Sequence, residues 1–115
     1  MHELSIAVQI AEIITEEAAK AEALTVTKVI LEIGSLSGIE ADAIELAVPE
    51  AFRNTICENA AVEYHYIKAR AVCESCCNEF DPIDHYKICP FCNSLYTSFL
   101  KGKELNIKSF DIVKP

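Results

Sequence analysis

The feature that most constrains this chain is a pair of Cys-x-x-Cys motifs in its second half. They read Cys73-Glu74-Ser75-Cys76 and Cys89-Pro90-Phe91-Cys92, with twelve residues between Cys76 and Cys89. Two residues between thiols allow a tight turn to direct both sulfurs at one ion, and two such turns supply the tetrahedral sulfur shell of structural zinc. Four protein ligands leave no position for an activated water. The spacing therefore predicts a structural Zn(II) site at Cys73, Cys76, Cys89 and Cys92.

Other uses of these cysteines fit the sequence less well. The start of the chain lacks the basic and apolar segments of a secretory signal, which disfavours a disulfide framework. A redox Cys-x-x-Cys would open a helix, whereas these motifs are doubled in a segment without sustained periodicity. A nucleic-acid-binding ribbon would be basic, but residues 70–97 hold two basic and four acidic side chains.

Length and charge narrow the function further. The chain has 115 residues, enough for one modest core, and 10 basic against 18 acidic side chains give a net charge of −8. Without clustered Lys and Arg, neither nucleic acid nor a membrane surface is an expected partner. No apolar run approaches the ~20 residues of a membrane span, so we expect a cytoplasmic protein. No nucleophile–base set, phosphate-binding glycine loop or open zinc site is present, and we expect no enzymatic activity.

Hydrophobic periodicity predicts two helices. Residues 4 to about 22 carry one apolar stripe with further isoleucines beside it, namely Leu4, Val8, Ala11, Ile14 and Ala18 with Ile6, Ile10 and Ile13. So wide an arc predicts burial against a sheet and a second element, and leaves open packing against another chain, including a second copy. Ile44, Val48 and Phe52 predict a second helix to about residue 54, where Pro49 predicts a kink or two short helices.

Three segments read as strands. Residues 26–33 alternate, with Val29, Leu31 and Ile33 on one face and Lys28, Ile30 and Glu32 on the other. Residues 61–69 place Val62, Tyr64 and Tyr66 on one face. Residues 105–113 form a last strand whose parity shifts between Ile107 and Phe110, as a bulge would explain.

The order of these elements predicts an α+β fold. A helical connection favours a parallel pair of first strands with a right-handed crossover. We expect a small three-stranded sheet covered by two helices, with an inserted zinc-ribbon-like subdomain held by the four cysteines. The domains would be residues 1–69 plus 99–115 and the insertion 70–98.

Four further metal-binding side chains stay outside the predicted site. Cys77 would make a three-residue gap and reads as a spare thiol, and Cys57 reads as a small buried hydrophobe. His65 and His85 are not needed because four cysteines suffice.

The amino terminus offers a second metal site. In the start Met1-His2-Glu3, the imidazole of His2, its amide nitrogen and the terminal amine can all reach one ion. Deprotonated amide nitrogens favour square-planar ions, so such a site suits Ni(II) or Cu(II). Glu40, at the start of the second helix, offers a carboxylate if the two helices are neighbours.

The sequence resembles the HypA family of nickel metallochaperones. The resemblance rests on Met1-His2-Glu3-Leu4-Ser5, on Glu32-Ile33-Gly34 followed by Ser37-Gly38-Ile39-Glu40, and on the two Cys-x-x-Cys motifs before a final strand. It covers essentially the whole chain. Pro49 and the extra thiols Cys57 and Cys77 depart from the family pattern.

The resemblance implies transient Ni(II) binding by His2 with backbone nitrogens from Met1 through Glu3, with Glu40 beside the metal. It also implies structural Zn(II) at the four cysteines. Family members work with the GTPase HypB and pass nickel to the precursor of the large subunit of nickel-iron hydrogenase, and some serve urease. The alternative, from another functional class, is a zinc-ribbon adaptor that binds protein or nucleic acid without delivering nickel.

Overall fold

The computed structural model describes residues 2–82 and 88–115, which contain two helices and six strands. The elements are α1 (Glu3–Lys20), β1 (Thr25–Gly34), α2 (Ala41–Phe52), β2 (Ala61–Ile67), β3 (Arg70–Cys73), β4 (Glu79–Phe80), β5 (Thr97–Lys101) and β6 (Leu105–Val113). The strands form two three-stranded sheets, ordered β2-β1-β6 and β4-β3-β5. The predicted α+β class, with a three-stranded sheet and two helices, is confirmed.

The chain divides into two compact units. The helical unit comprises Met1–Leu31, Ile39–His65 and Asn106–Pro115. The cysteine unit comprises Glu32–Gly38 and Tyr66–Leu105. No helix in residues 2–82 or 88–115 is both long and apolar enough to cross a membrane.

Helix α1 buries a narrower face than its apolar arc suggests. Its buried side chains are Glu3, Ala7, Ile10, Ala11, Ile14 and Ala18. Leu4, Val8 and Ile13 are instead 57%, 40% and 52% exposed, so the expected burial of the whole arc is wrong at these positions. Periodicity shows on which side of the helix the apolar side chains lie. A helix that packs on one side only, however, buries just part of so wide a stripe.

Helix α1 ends two residues earlier than the pattern predicts. Glu22 adopts a positive φ of 58°. The Ala23 N–H donates to the Ala18 carbonyl and the Glu22 N–H to that of Ala19, the two bonds of a Schellman motif. The left-handed conformation of Glu22 turns the chain out of the helix, and the two N–H groups at the turn bond the last free carbonyls of the helix.

Helix α2 packs against α1 within the helical unit. Ile44, Val48 and Phe52 are buried as their four-residue spacing predicts. Pro49 lies inside this element, which is one helix and not two. The helix ends at Phe52, and the Thr55 hydroxyl donates to the Phe52 carbonyl at 2.6 Å.

Strand β1 is the centre of the first sheet. Val29, Leu31 and Ile33 are buried, while Lys28, Ile30 and Glu32 are partly exposed, which confirms the predicted faces. The Leu24 N–H donates to the Val113 carbonyl and the Gly34 N–H to that of Glu104, so β1 and β6 run antiparallel. In β6, Ile107 and Phe110 are both partly buried although they are three residues apart, so the alternation of buried and exposed side chains changes parity between them as predicted.

Strands β1 and β2 advance in the same direction. Lys28 forms an ion pair with Glu63 at 3.0 Å, and further along both strands the Ser35 N–H donates to the Ile67 carbonyl. This agrees with the parallel pair that a helical connection favours.

The cysteine unit contains a sheet that the sequence pattern did not predict. Strand β3 pairs antiparallel with both β4 and β5. Its core consists of Ala71, Cys73, Phe80 and Cys89, with Cys76 and Phe99 partly buried against it. Two of these four buried side chains are cysteines. The core is therefore small, and it depends on its thiols.

Candidate metal centres

The four predicted zinc ligands come together in the cysteine unit. The sulfurs of Cys73, Cys76, Cys89 and Cys92 all lie within 4.8 Å of one another. The Cys73–Cys92 and Cys76–Cys89 sulfur pairs are each 3.6 Å apart. Zn–S bonds of about 2.3 Å in a tetrahedron require sulfurs about 3.8 Å apart. The donor set and its spacing therefore fit one Zn(II) ion with a closed shell.

The two knuckles share one backbone conformation. The N–H of the residue after each motif donates to the carbonyl of its first cysteine, from Cys77 to Cys73 at 2.8 Å and from Asn93 to Cys89 at 2.9 Å. Cys77 and Asn93 both adopt positive φ, 65° and 60°. This left-handed residue closes each turn and holds its two sulfurs on the same side.

Hydrogen bonds to sulfur support negative charge on the cluster. The Cys76 N–H donates to Cys73 Sγ and the Phe91 N–H to Cys89 Sγ, both at 3.4 Å. The Asn78 side-chain amide donates to Cys76 Sγ at 3.3 Å. Such bonds favour thiolates, the form that binds metal. Asn78 was not singled out from sequence, although an amide two residues after a ligand is a signal for this role.

The pKa values of two thiols in the cluster, Cys73 and Cys92, shift in opposite directions. The backbone N–H of Cys76 is the main cause that lowers the pKa of Cys73, to about 6. At Cys92 the backbone N–H of Ser94 lowers the pKa, but the Cys73 sulfur and burial outweigh it and raise the pKa to about 12. Four thiolates at this spacing repel one another, so a divalent cation is what allows all four to ionise together.

Cys57, Cys77 and His65 lie outside this cluster. Cys57 is fully buried, as predicted, and burial raises the pKa of its thiol. Cys77 is exposed and is not one of the four clustered sulfurs. His65 is partly exposed on β2. His85 lies outside the described residues.

The amino-terminal candidates surround the starts of the two helices. His2 is exposed and immediately precedes α1, while Met1 lies outside the described residues. Glu3 is only 7% exposed. The Glu40 N–H donates to Glu3 Oε2 at 3.4 Å, which brings together the two carboxylate residues of the predicted nickel site. Glu40 itself is exposed at the N-cap of α2.

Side chains alone do not assemble a second multidentate site in the part of the chain that the structure describes. There, the four cysteines form the one group of at least three metal-binding side chains close enough to share an ion. His2, Glu3 and Glu40 do not form another.

Comparison with known proteins identifies the family. A family model described as hydrogenase/urease nickel incorporation, metallochaperone, HypA matches residues 1–112. The chain is 40% identical over 114 residues to the hydrogenase maturation factor HypA of Parabacteroides distasonis, covering 99% of each chain. It is 37% identical over 112 residues to that of Psychromonas ingrahamii, covering 97% of this chain and 98% of the relative.

Solved structures give the same result at the level of fold. The solution structure of the Ni metallochaperone HypA from Helicobacter pylori matches over the full length of both chains, with a TM-score of 0.73 at 23% sequence identity. Another HypA solution structure matches with a TM-score of 0.74. Together with the whole-length sequence matches, these findings confirm the resemblance, and the chain belongs to the HypA family of nickel metallochaperones for hydrogenase maturation.

Proposed function

We propose that this protein binds Ni(II) at its amino terminus and delivers it to the precursor of the nickel-iron hydrogenase large subunit. The observation that carries the proposal is an exposed His2 at the start of α1, next to a buried Glu3 whose carboxylate accepts a hydrogen bond from Glu40. This arrangement anchors the end of the chain while leaving the imidazole accessible. Such a site suits a cargo that must be both held and released.

The proposed nickel donors are Met1, His2, Glu3 and Glu40. The His2 imidazole, its amide nitrogen and the terminal amine would form small chelate rings around a square-planar ion. The amide of Glu3 would extend this set, and its side chain would fix the start of α1 through the Glu40 N–H. The Glu40 carboxylate would lie beside the metal and favour the bound cation.

The zinc site has a structural role in this proposal. Cys73, Cys76, Cys89 and Cys92 would hold one Zn(II) ion that folds residues 70–98 as a zinc-binding insertion. Residues 1–69 and 99–115 would form the nickel-binding domain. A closed four-sulfur shell supplies no open position for chemistry, so zinc would stabilise structure without reacting.

The chain also requires partners. Its sequence contains no phosphate-binding glycine loop, so we propose that the GTPase HypB supplies the energy-dependent step. Urease maturation proteins are a further client class, because the family model describes hydrogenase and urease nickel incorporation. Self-association into a homodimer belongs to the same set of proposals.

An adaptor without nickel delivery is the second candidate function. It is favoured by exposed apolar side chains beside the second knuckle, since Phe91, Leu95 and Tyr96 are 66%, 74% and 76% exposed. Exposed clusters of this kind mark protein-interaction surfaces. In this alternative the zinc site would present a binding surface and the amino terminus would be an ordinary chain end.

Native mass spectrometry separates the two functions. Untagged protein with an intact Met1 is titrated with Ni(II), and zinc and nickel are counted separately in the wild type, in His2→Ala and in His65→Ala. We expect one zinc per chain throughout, and nickel in the wild type and His65→Ala but not in His2→Ala. Equal nickel binding by His2→Ala, or displacement of zinc by nickel, would favour the adaptor.

A second titration tests the role of Glu40. Removing its carboxylate in Glu40→Ala leaves the backbone N–H that bonds Glu3 in place. A carboxylate beside the metal predicts nickel affinity weakened by about tenfold, the order of a supporting ligand. Unchanged affinity would limit Glu40 to its backbone contact with Glu3 and leave the rest of the proposed donor set intact.

A further inference from the structure

An apolar groove runs between α1 and α2 of the helical unit. One end has a volume of about 740 Å³ and is bordered by Leu4, Val8, Leu46 and Ala51. The adjoining stretch, of about 410 Å³, shares Val8 and Ala51 and continues to Thr15. The two stretches therefore adjoin at Val8 and Ala51, and we treat them together as one groove along the helix pair.

The groove is walled by apolar side chains that the chain leaves uncovered. Leu46 is 76% exposed, Leu4 57% and Val8 40%. Ala47 and Ala51, one turn apart on α2, line it with small side chains and keep it open. Folding has therefore left these apolar side chains facing solvent. Contiguous exposed apolar surface of this kind marks a binding site for another protein.

The dimensions of the groove favour a helix as its occupant. Leu4 and Thr15 lie eleven residues apart on α1, which at 1.5 Å per residue is about 16 Å. That length accommodates about three turns of a helix. A helix seated in such a groove presents its anchors at positions i, i+4 and i+7.

The charge of the helix pair determines which helix fits. Helices α1 and α2 together carry seven carboxylates and one lysine, a net charge of −6 out of −8 for the whole chain. Glu12 and Glu16 border the groove, and neither has an ion-pair partner among residues 2–82 and 88–115. Glu50, at the other end, is already paired with Arg53 at 2.6 Å.

A second copy of the chain is a poor occupant for the same reason. In a symmetric dimer this surface meets a second copy of itself, so both sides of the interface carry the acidic balance of α1 and α2. Like charges placed in contact oppose binding, whereas lysine or arginine on the facing surface would be attracted. Charge complementarity therefore favours a partner that is basic where this chain is acidic.

We propose that this groove binds a basic amphipathic helix of a partner protein. Apolar side chains on one face of that helix contact Leu4, Val8 and Leu46, and flanking lysine or arginine side chains pair with Glu12 and Glu16. The inference goes beyond nickel binding, because it assigns a partner surface; Glu3 borders one end of the groove, but neither the cysteines nor His2 line it.

The test uses the zinc-loaded full chain without nickel, so its outcome is independent of the nickel proposal. The probe is a fluorescein-labelled synthetic helix of roughly 14 residues built from alanine, lysine and leucines at i, i+4 and i+7. A matched probe replaces every lysine with glutamate. Binding is measured by fluorescence anisotropy at low and high salt. We expect the lysine probe to bind at least about tenfold more tightly than the glutamate probe, with a difference that shrinks as salt rises.

Matched protein variants locate the binding site. Leu46→Gln removes an exposed groove side chain, and Leu24→Gln removes one that is 63% exposed outside the groove. We expect about a tenfold loss of affinity for the first variant and none for the second. The double variant Glu12→Gln, Glu16→Gln should weaken binding more than Glu17→Gln, Glu22→Gln, which makes the same change in net charge.

Three results would overturn the proposal. One is equal affinity of the lysine probe for the wild type and Leu46→Gln. Another is equal binding of the lysine and glutamate probes. The third is sedimentation evidence for a dimer that Leu46→Gln dissociates, because the groove would then be occupied by a second copy.

Discussion

Cys77 and Asn93 occupy the same place in the two knuckles, and each adopts the left-handed conformation. Asparagine tolerates this conformation, but for most residues with a Cβ atom it costs about 1 kcal/mol. Cys77, with φ of 65°, is therefore more strained than Asn93, which adopts the same conformation. Its thiol is exposed and outside the sulfur cluster, so nothing in the described chain requires cysteine there.

Replacing Cys77 with asparagine should stabilise the protein. We expect Cys77→Asn to raise the free energy of unfolding by about 0.5–1 kcal/mol, because asparagine adopts positive φ at lower cost. Zinc content should stay at one per chain. Urea unfolding and elemental analysis test this, and the reciprocal change Asn93→Cys should be destabilising. A loss of zinc in Cys77→Asn would show that Cys77 is a ligand after all.

Gly102 is required by both conformation and space. Its φ is 113°, and an added Cβ would collide with the Cα and Cβ of Ala69. We expect Gly102→Ala to destabilise the protein by about 2 kcal/mol or more. Gly38→Ala is the control, since φ is 86° there but nothing lies within 4 Å of the added atom, so only the conformational cost of about 1 kcal/mol applies. Equal losses in urea unfolding would mean that the close approach to Ala69 is relieved elsewhere.

The sulfur cluster was predictable residue by residue, because the spacing within each Cys-x-x-Cys motif is local and limits what a turn can do. Glu40 was expected near the amino terminus only if the two helices were neighbours, and the structure confirms that they are. The bond from the Glu40 N–H to Glu3 was not predicted. The burial of Glu3 was not predicted, because a buried carboxylate needs hydrogen-bond donors and one of these, the Glu40 N–H, lies 37 residues away in the sequence.

At the scale of elements, long periodic segments were predicted well and short ones were not. Helix α2 and strand β1 bury the predicted faces because each repeats its pattern over several residues. Strands β3, β4 and β5 have between two and five residues, too few for alternation to be recognised. The exposed side of α1 was missed because periodicity shows that Leu4, Val8 and Ile13 are apolar but not that the fold leaves them uncovered.

Pro49 makes α2 less stable than a helix of the same length without proline would be. Proline donates no hydrogen bond to the preceding turn and crowds it, at a cost of up to about 3 kcal/mol in a helix interior. We expect Pro49→Ala to raise the free energy of unfolding by about 1 kcal/mol or more. Chemical denaturation provides the measurement, with Leu46→Ala as a control at an exposed position that should change it by about 0.5 kcal/mol at most. A destabilised Pro49→Ala would indicate that the proline ring packs favourably.

At the scale of the whole molecule, the two units should respond differently to loss of zinc. The cysteine unit has a small core of which half is thiol, whereas the helical unit buries its own aliphatic side chains. We expect a chelator to abolish amide protection in β3–β5 while α1 and α2 keep theirs. Hydrogen exchange with and without chelator measures this. Unchanged amide protection in β3–β5 would show that zinc is not needed to hold this unit folded.

Net charge should make the stability of the molecule depend on salt. A charge of −8, of which −6 lies on the two helices, opposes the compact state through repulsion. We expect the thermal midpoint to rise as sodium chloride screens this repulsion. The double variant Glu12→Gln, Glu16→Gln should show a smaller rise. A midpoint that falls with added salt would mean that attractive ion pairs, such as Lys28 with Glu63, dominate.

The shortest sulfur contacts join cysteines of different knuckles, Cys73 to Cys92 and Cys76 to Cys89. In polymer terms, an ion bound by both knuckles is a cross-link that closes the chain between them into a loop. Closing a loop of about 15 residues restricts the unfolded chain by about 3 kcal/mol, but doubling its length adds only about 0.6 kcal/mol. A longer connection between the knuckles would therefore cost little additional chain entropy.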